Sequence, residues 1–307
     1  MRDDEVLAET RAFNQGLEQL VATLPPLHTV APEETRRTRR ESCGVFPPPV
    51  YLPDAWWERI PGRDGEIPVR LVEPEGESRG AYLHFHGGGW TIGAADLQDP
   101  SLKAAADATG LTMASVDYRL APEHPYPAAP DDCEDAALWF LDRFSGRLAL
   151  GGESAGAHLA VVTLVRLRDR QGVDVRSAFA AANLSFGPFD LTGTPSRFLW
   201  GGRELVLSDT TMSWFVENYV PSLSDAERRD PDVSPLYADL RDLPPALFTC
   251  GTLDPLLDDT LFMEARWRAA GNEATLSIVP DAVHGFVAFD IEAARRSRAQ
   301  QYAFVGG

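Results

Sequence analysis

A serine held between glycines, Gly152-Glu153-Ser154-Ala155-Gly156, follows an apolar run at 148–151 and precedes a helical stretch that begins at Ala155. Few folds accept this pattern. A serine at a strand-to-helix junction sits on a sharp, strained turn, and only small neighbours relieve the crowding around it. Three further segments occur in a set order around it: His86-Gly87-Gly88-Gly89-Trp90 before, then Asp254-Pro255-Leu256 and His284-Gly285-Phe286 after. Each follows a short apolar run. All four therefore fall at the carboxyl ends of predicted strands, where open α/β sheets collect their ligands.

From Trp56 onward, short apolar runs alternate with helical stretches, the signature of a mostly parallel sheet covered on both faces. The runs predict strands at 67–72, 81–85, 112–116, 148–151, 180–185, 246–250 and 274–279, with helices near 99–109, 131–144, 155–169, 258–270 and 290–304. Upstream, Val6, Leu7, Phe13, Leu17, Leu20, Val21 and Leu24 are spaced as on an amphipathic helix over 5–23, which Pro25-Pro26 would end. A Pro-, Glu- and Arg-rich segment runs on to about residue 50. The stretch 195–221, with Phe198, Leu199, Trp200, Trp214, Phe215 and Tyr219, interrupts the alternation. At 307 residues the chain is expected to form one α/β domain, 1–307, with a helical cap drawn from about 1–50 and 195–221. The bland alternative is that both segments simply cover apolar sheet surface.

Composition mainly excludes. A formal charge of −18 argues against a nucleic-acid partner, since phosphate binding needs clustered Lys and Arg. Cys43, Cys133 and Cys250 are widely spaced and contain no C-x-x-C pair, so neither a disulfide framework nor a structural zinc site is expected. The charged start, Met1-Arg2-Asp3-Asp4-Glu5, lacks the apolar stretch of a secretory signal, and no run reaches membrane-spanning length. The expectation is a cytoplasmic protein without stable membrane insertion. Sheet edges can pair subunits, and the predicted strand at 274–279 is the candidate edge for a homodimer.

The four segments supply the parts of acyl transfer. A hydroxyl is a weak nucleophile at neutral pH and needs a neutral imidazole to take its proton, which assigns Ser154 as nucleophile and His284 as base. An acid must hold that imidazole in the right tautomer, and Asp254 is the candidate, with Asp281 as the alternative. Asp258 and Asp259 read as first-turn carboxylates of the following helix. The main-chain N–H groups of Gly88, Gly89 and Ala155 are candidates for an oxyanion hole. His158, four positions after Ser154 on the same predicted helix, reads as structural. Glu153 either orders the turn by hydrogen bonding or is a tolerated polar residue. A dinucleotide fingerprint starting at Gly87 would need glycine where Ile92 stands. His84-x-His86 suggests a metal only weakly, because no further ligand cluster lies nearby, and no metal site is expected.

Taken together, His86-Gly87-Gly88-Gly89, Asp117-Tyr118-Arg119-Leu120-Ala121-Pro122-Glu123, Gly152-Glu153-Ser154-Ala155-Gly156, Asp254-Pro255-Leu256 and His284-Gly285-Phe286 make residues 60 to 290 resemble the bacterial hormone-sensitive-lipase-like esterases, family IV of the lipolytic enzymes. The resemblance implies an α/β-hydrolase fold with an eight-stranded, mostly parallel sheet and a helical cap. It implies no cofactor, and hydrolysis of small-molecule esters with short to medium acyl chains. It also gives the segment 117–123 a buttressing role behind the glycine loop. Two positions depart from the family: Glu153 stands where aspartate is usual, and Ala157-His158 where Gly-Asn is usual. The latter pair is similar to the elbow of arylformamidases, which leaves an amidase as the alternative. The gibberellin receptors, similar proteins without the histidine, supply a binding-protein alternative. Trp90, Phe189, Trp214 and Phe286 are the candidates to line the substrate pocket.

Overall fold

In the computed structural model, which describes residues 1–41 and 44–307, the alternation resolves into eight strands and eleven α-helices among the described residues. Cys43 lies outside them, while Cys133 and Cys250 are free and buried. The strands are β1 (Trp56–Gly62), β2 (Gly65–Val72), β3 (Gly80–Phe85), β4 (Thr112–Val116), β5 (Arg147–Glu153), β6 (Ala181–Ser185), β7 (Ala246–Leu253) and β8 (Ala274–Val283). The helices are α1 (Asp3–Val21), α2 (Pro32–Arg40), α3 (Asp99–Thr109), α4 (Ala128–Arg143), α5 (Ala155–Gln171) and α6 (Val175–Ala178), followed by α7 (Pro195–Phe198), α8 (Asp209–Tyr219), α9 (Asp225–Arg228), α10 (Leu257–Ala269) and α11 (Glu292–Gly306).

All eight strands join one sheet in the order β1-β2-β4-β3-β5-β6-β7-β8. The β1–β2 and β2–β4 pairs are antiparallel and the rest are parallel. Helices α4 and α5 pack on one face of the parallel part, and α3 and α11 on the other. On the α4/α5 face, Leu83, Ala114, Leu150 and Ala182 lie level across four strands and are all fully buried. Such a level excludes water from this face of the ladder and gives the apolar run its reason.

Each strand expected from the sequence is present. Three run further at their carboxyl ends than the apolar pattern: β5 to Glu153, β7 to Leu253 and β8 to Val283. These extensions carry the backbone directly to Ser154, Asp254 and His284, so the sheet itself aims all three side chains. Among the unforeseen elements are β1, an edge strand with an exposed outer face, α2, which has no apolar stripe, and the four-residue helices α6 and α9.

Candidate active site

Ser154 ends the exit from β5 and caps α5 with φ 55° and ψ −122°, a left-handed conformation that costs a non-glycine residue energy. Its surroundings hold it there. The Ser154 N–H donates to the Ser185 carbonyl at 2.9 Å, tying the turn to β6. A Cβ on Gly152 would stand 2.1 Å from the Phe85 carbonyl oxygen, and one on Gly156 only 1.8 Å from it. Glycine at both positions is therefore a condition for seating the turn against β3.

Three chain-distant side chains meet at this turn. His284 Nε2 lies 2.9 Å from Ser154 Oγ, and its Nδ1 lies 2.8 Å from Asp254 Oδ2. An ionised carboxylate only accepts, so Nδ1 carries the proton and Nε2 presents its lone pair to the serine hydroxyl. The other Asp254 oxygen accepts from the Leu256 N–H at 2.9 Å, and the carboxylate is fully buried. Phe186 packs edge-on against the imidazole, with ring centroids 4.9 Å apart. Asp281 is turned elsewhere: it accepts from Arg11 Nε at 2.6 Å on the outer side of β8.

The glycine loop borders the serine. Gly88 and Gly89 have φ of 118° and 57°. A Cβ on Gly89 would stand 2.2 Å from the Phe215 ring, so glycine there meets steric need as well as backbone strain. Among the described residues, the N–H groups of Gly88, Gly89 and Ala155 donate to no protein acceptor. Ala155 opens α5, whose dipole adds positive potential at the same place.

Comparison with known proteins agrees with this geometry. A family model described as "alpha/beta hydrolase fold" matches residues 82–288. Carboxylic ester hydrolase LipN of Mycobacterium tuberculosis is 34% identical over 262 residues, covering 82% of this chain and 69% of the relative. Carboxylesterase NlhH of the same organism is 34% identical over 287 residues, covering 89% and 88%. Among solved structures, the hyperthermophilic esterase from the archaeon Pyrobaculum calidifontis superposes with a TM-score of 0.86 at 32% identity, covering 96% of this chain and 97% of the other. This chain is a hormone-sensitive-lipase-like α/β-hydrolase.

In the hydrolase, the segment 117–123 stands behind the glycine loop. The Tyr118 hydroxyl donates to the His86 carbonyl at 2.7 Å, its ring stacks on the His86 imidazole at 4.2 Å, and the Ala121 N–H donates to the Trp90 carbonyl at 2.9 Å. Burial holds His86 below the usual histidine range, hence neutral. Of the two readings of Glu153, hydrogen bonding holds: Oε1 accepts from the Gly87 N–H and from Gln98 Nε2, both at 3.0 Å, while Oε2 lies 3.0 Å from His84 Nε2. The glutamate thus ties the serine turn to the glycine loop. His84 is taken up by Glu153 and Ser115, and among the described residues no third ligand joins it and His86.

His158 is structural. Its Nε2–H donates to the Val233 carbonyl at 2.8 Å, its Nδ1 accepts from Trp90 Nε1 at 3.2 Å, and burial pushes its pKa down to about 4. Asp258 and Asp259 do lie in the first turn of α10, but they also pin α7 and the chain before it: Asp259 accepts from the Phe189 and Asp190 N–H groups, and Asp258 from that of Ser196 in α7.

A cavity of about 1130 Å³ opens above Ser154 and His284. Its walls correct the pocket assignment. Phe189 is fully buried against Phe248 and does not reach it; Phe286 is fully buried beside Phe186 and does not reach it either. Trp90 touches the cavity, but its indole is buried and stacked on Tyr219 at 4.5 Å. Trp214 points away because α8 presents Met212 and Phe215, one turn apart, to the cavity, and residue 214 falls on a different side of the helix. The i, i+3 spacing of Met212 and Phe215 was the signal available in the sequence. The opposite wall comes from residues within 18–39 and 44–50.

Proposed function

We propose that Ser154, His284 and Asp254 carry out ester hydrolysis through an acyl-enzyme, with Gly88, Gly89 and Ala155 as the oxyanion hole. The protein is a carboxylic ester hydrolase, in line with the named activities of LipN, NlhH and the Pyrobaculum esterase. What supports the residue roles is the unbroken relay from Asp254 through His284 to Ser154, at 2.8 and 2.9 Å. Ser154 Oγ attacks the carbonyl carbon as its proton passes to His284 Nε2. The oxyanion takes hydrogen bonds from amides that have no protein acceptor to give up. The alcohol leaves with the proton from His284, and water repeats the sequence on the acyl group. Asp254 keeps the imidazole in its working tautomer and stabilises the imidazolium. Replacing Ser154 by alanine lowers turnover of a p-nitrophenyl acyl ester by roughly 10⁴ to 10⁶; near-native turnover in that variant overturns the assignment.

Substrate selection belongs, in this reading, to a cap made of about 1–50 and 195–221 over a single α/β domain, favouring short to medium acyl chains. The relatives named as ester hydrolases favour an ester over an amide. So does His158: the Ala157-His158 pair that suggests a formamidase is engaged with Trp90 and Val233, away from the relay. Turnover on matched ester and anilide substrates separates the two, because a poor leaving amine demands more of the acid His284. With His284 seated on Ser154, a receptor role is disfavoured, and labelling by an organophosphate tests it. No helix among the described residues is long and apolar enough to cross a membrane, and we place the protein in the cytoplasm. The outer edge of β8, where Leu276 is exposed, is the surface on which a homodimer would pair, and light scattering in solution reads it directly.

A further inference from the structure

The sheet is not apolar on both faces. On the side covered by α3 and α11, one level reads Ser115, His84, Gly151 and Asn183 across β4, β3, β5 and β6 and ends at the apolar Leu247 on β7, and the next reads Glu153, Ser185 and Thr249 across β5, β6 and β7. Central parallel strands ordinarily bury near-continuous Val, Ile and Leu on both faces, so a double row of polar and small residues here calls for a polar occupant. The cavity above Ser154 also extends under it: the walls that include Ser154 and His284 continue to Tyr82, Asn183, Ser185 and Gln301. Helices α3 and α11 roof this lower part.

Two atoms in the double row lack protein partners, although the Asn183 amide also hydrogen-bonds Tyr82. Asn183 Oδ1 and Thr249 Oγ1 are buried, and among the described residues neither has a hydrogen-bond partner. A buried acceptor without a donor is costly to the fold, and water is the ligand small enough to reach it inside a sheet–helix interface. The row also touches the reacting residue. Ser185 holds the Ser154 N–H through its carbonyl at 2.9 Å, while its side chain accepts from Gln301 Nε2 at 3.3 Å. The upper part is different in kind, walled by Leu24, Phe46, Leu205, Met212 and Phe215. An acyl group lying against that wall covers the approach from above and leaves the polar underside as the side on which water keeps its hydrogen bonds.

We infer that the chamber beneath Ser154, walled by Asn183, Ser185 and Gln301, stores and supplies the water that hydrolyses the acyl-enzyme. The inference rests on the reading of Ser154 as nucleophile. In the step it serves, a water O–H proton passes to His284 Nε2 and the water oxygen bonds to the acyl carbon. The bond from that carbon to Ser154 Oγ breaks, and the proton moves from His284 to Ser154 Oγ. Water enters only this second half of the reaction. Blocking the chamber therefore slows deacylation and leaves acylation alone.

The test uses Asn183→Leu, which removes the polar wall at similar size, and Gln301→Met, which does so from α11, in the full chain with p-nitrophenyl butyrate. Stopped-flow traces give the burst and the steady rate. In variants whose melting temperature stays near that of the parent, kcat falls about tenfold, kcat/KM stays within about twofold, and the burst approaches one p-nitrophenol per enzyme. If kcat and kcat/KM fall together, or neither moves in a folded variant, the chamber does not feed the reaction. Gln301→Met decides the matter where Asn183→Leu fails to fold. Failure of the underlying reading looks different: the parent enzyme then shows no acyl-enzyme and no dependence on Ser154.

Discussion

The two aspartates that the sequence offers as partners of His284 divide cleanly by what they touch. Asp254 is buried on Nδ1 of the imidazole, whereas Asp281 faces Arg11 across a partly exposed ion pair. Asp254→Asn presents a donor where an acceptor is needed and shifts the tautomer, so kcat is expected to fall by about 10⁴. Asp281→Asn keeps a residue that tolerates φ 55° and gives up only a surface pair, so kcat is expected to stay within about twofold. Steady-state kinetics on one p-nitrophenyl ester compares them, and a reversed order assigns the acid to Asp281. His158 makes a different prediction, on stability. Its pKa is pushed down to about 4 by burial, below the unfolded value near 6.5, so the unfolded chain binds the extra proton between those limits. The stabilisation is complete above pH 6.5 and is lost as pH falls toward 4, by up to about 3 kcal/mol. Urea unfolding from pH 7 to 4.5 should fall more steeply in the parent than in His158→Gln; equal slopes mean His158 titrates normally. The relay residues could be picked out in the sequence because each lies within two positions of glycine or proline at a strand end. The choice between the two readings of Glu153 could not be made there, because its three partners come from 84, 87 and 98, and no local pattern announces a contact across strands.

At the scale of elements, space decides which glycines are needed. Gly156 sits in the first turn of α5, where a Cβ would meet the Phe85 carbonyl at 1.8 Å, and backbone cannot move aside as a side chain can. Gly156→Ala is expected to destabilise by about 3 kcal/mol or more, or to prevent folding, through overpacking of α5 on β3. Gly16, on the exposed side of α1, has nothing within 4 Å of its Cβ position. Gly16→Ala is expected to raise stability by about 0.5 to 1 kcal/mol, since alanine loses less backbone freedom in a helix. Chemical denaturation of both variants checks the pair, and a stabilising Gly156→Ala would remove the steric account of the elbow. The same contrast between local and distant causes separates the elements that could be read in advance from those that could not. Strands β3 to β7 carry apolar runs because helices cover them. β1 alternates little: Trp56 and Trp57 are both exposed and only Ile60 is fully buried, so pairing with β2 defines it. α2 is Pro-Glu-Glu-Thr-Arg-Arg-Thr-Arg-Arg, with no apolar stripe to detect. Its place comes from Arg36, which donates to the Thr91 carbonyl at 3.0 Å and pairs with Glu123, and from Arg40, which pairs with Asp96.

Across the whole molecule, the proposed mechanism puts chemistry and selection on separate supports. The relay and glycine loop stand on strand ends of one continuous sheet, with the segment 117–123 bracing the loop from behind. The upper cavity wall is assembled from α8 and the chain before α3, attached through side-chain contacts such as Arg11 and Asn14 on Asp281 and Arg203 on Glu18. A change in that wall can therefore alter which acyl groups fit without moving Ser154, His284 or the amides. Met212 is the position where this can be tested, because it is buried on the cavity side of α8 and makes no hydrogen bond to the relay. Met212→Trp adds bulk to the upper cavity at the expense of acyl space. A p-nitrophenyl acetate reaches Ser154 without filling that space, and its kcat/KM should stay within about threefold. A p-nitrophenyl octanoate needs it, and several excluded methylenes at about 1 to 3 kcal/mol each allow its kcat/KM to fall by well over tenfold. Parallel losses on both esters would mean that α8 supports the catalytic loop itself, through Phe215 on Gly89, and that selection lies elsewhere in the cavity.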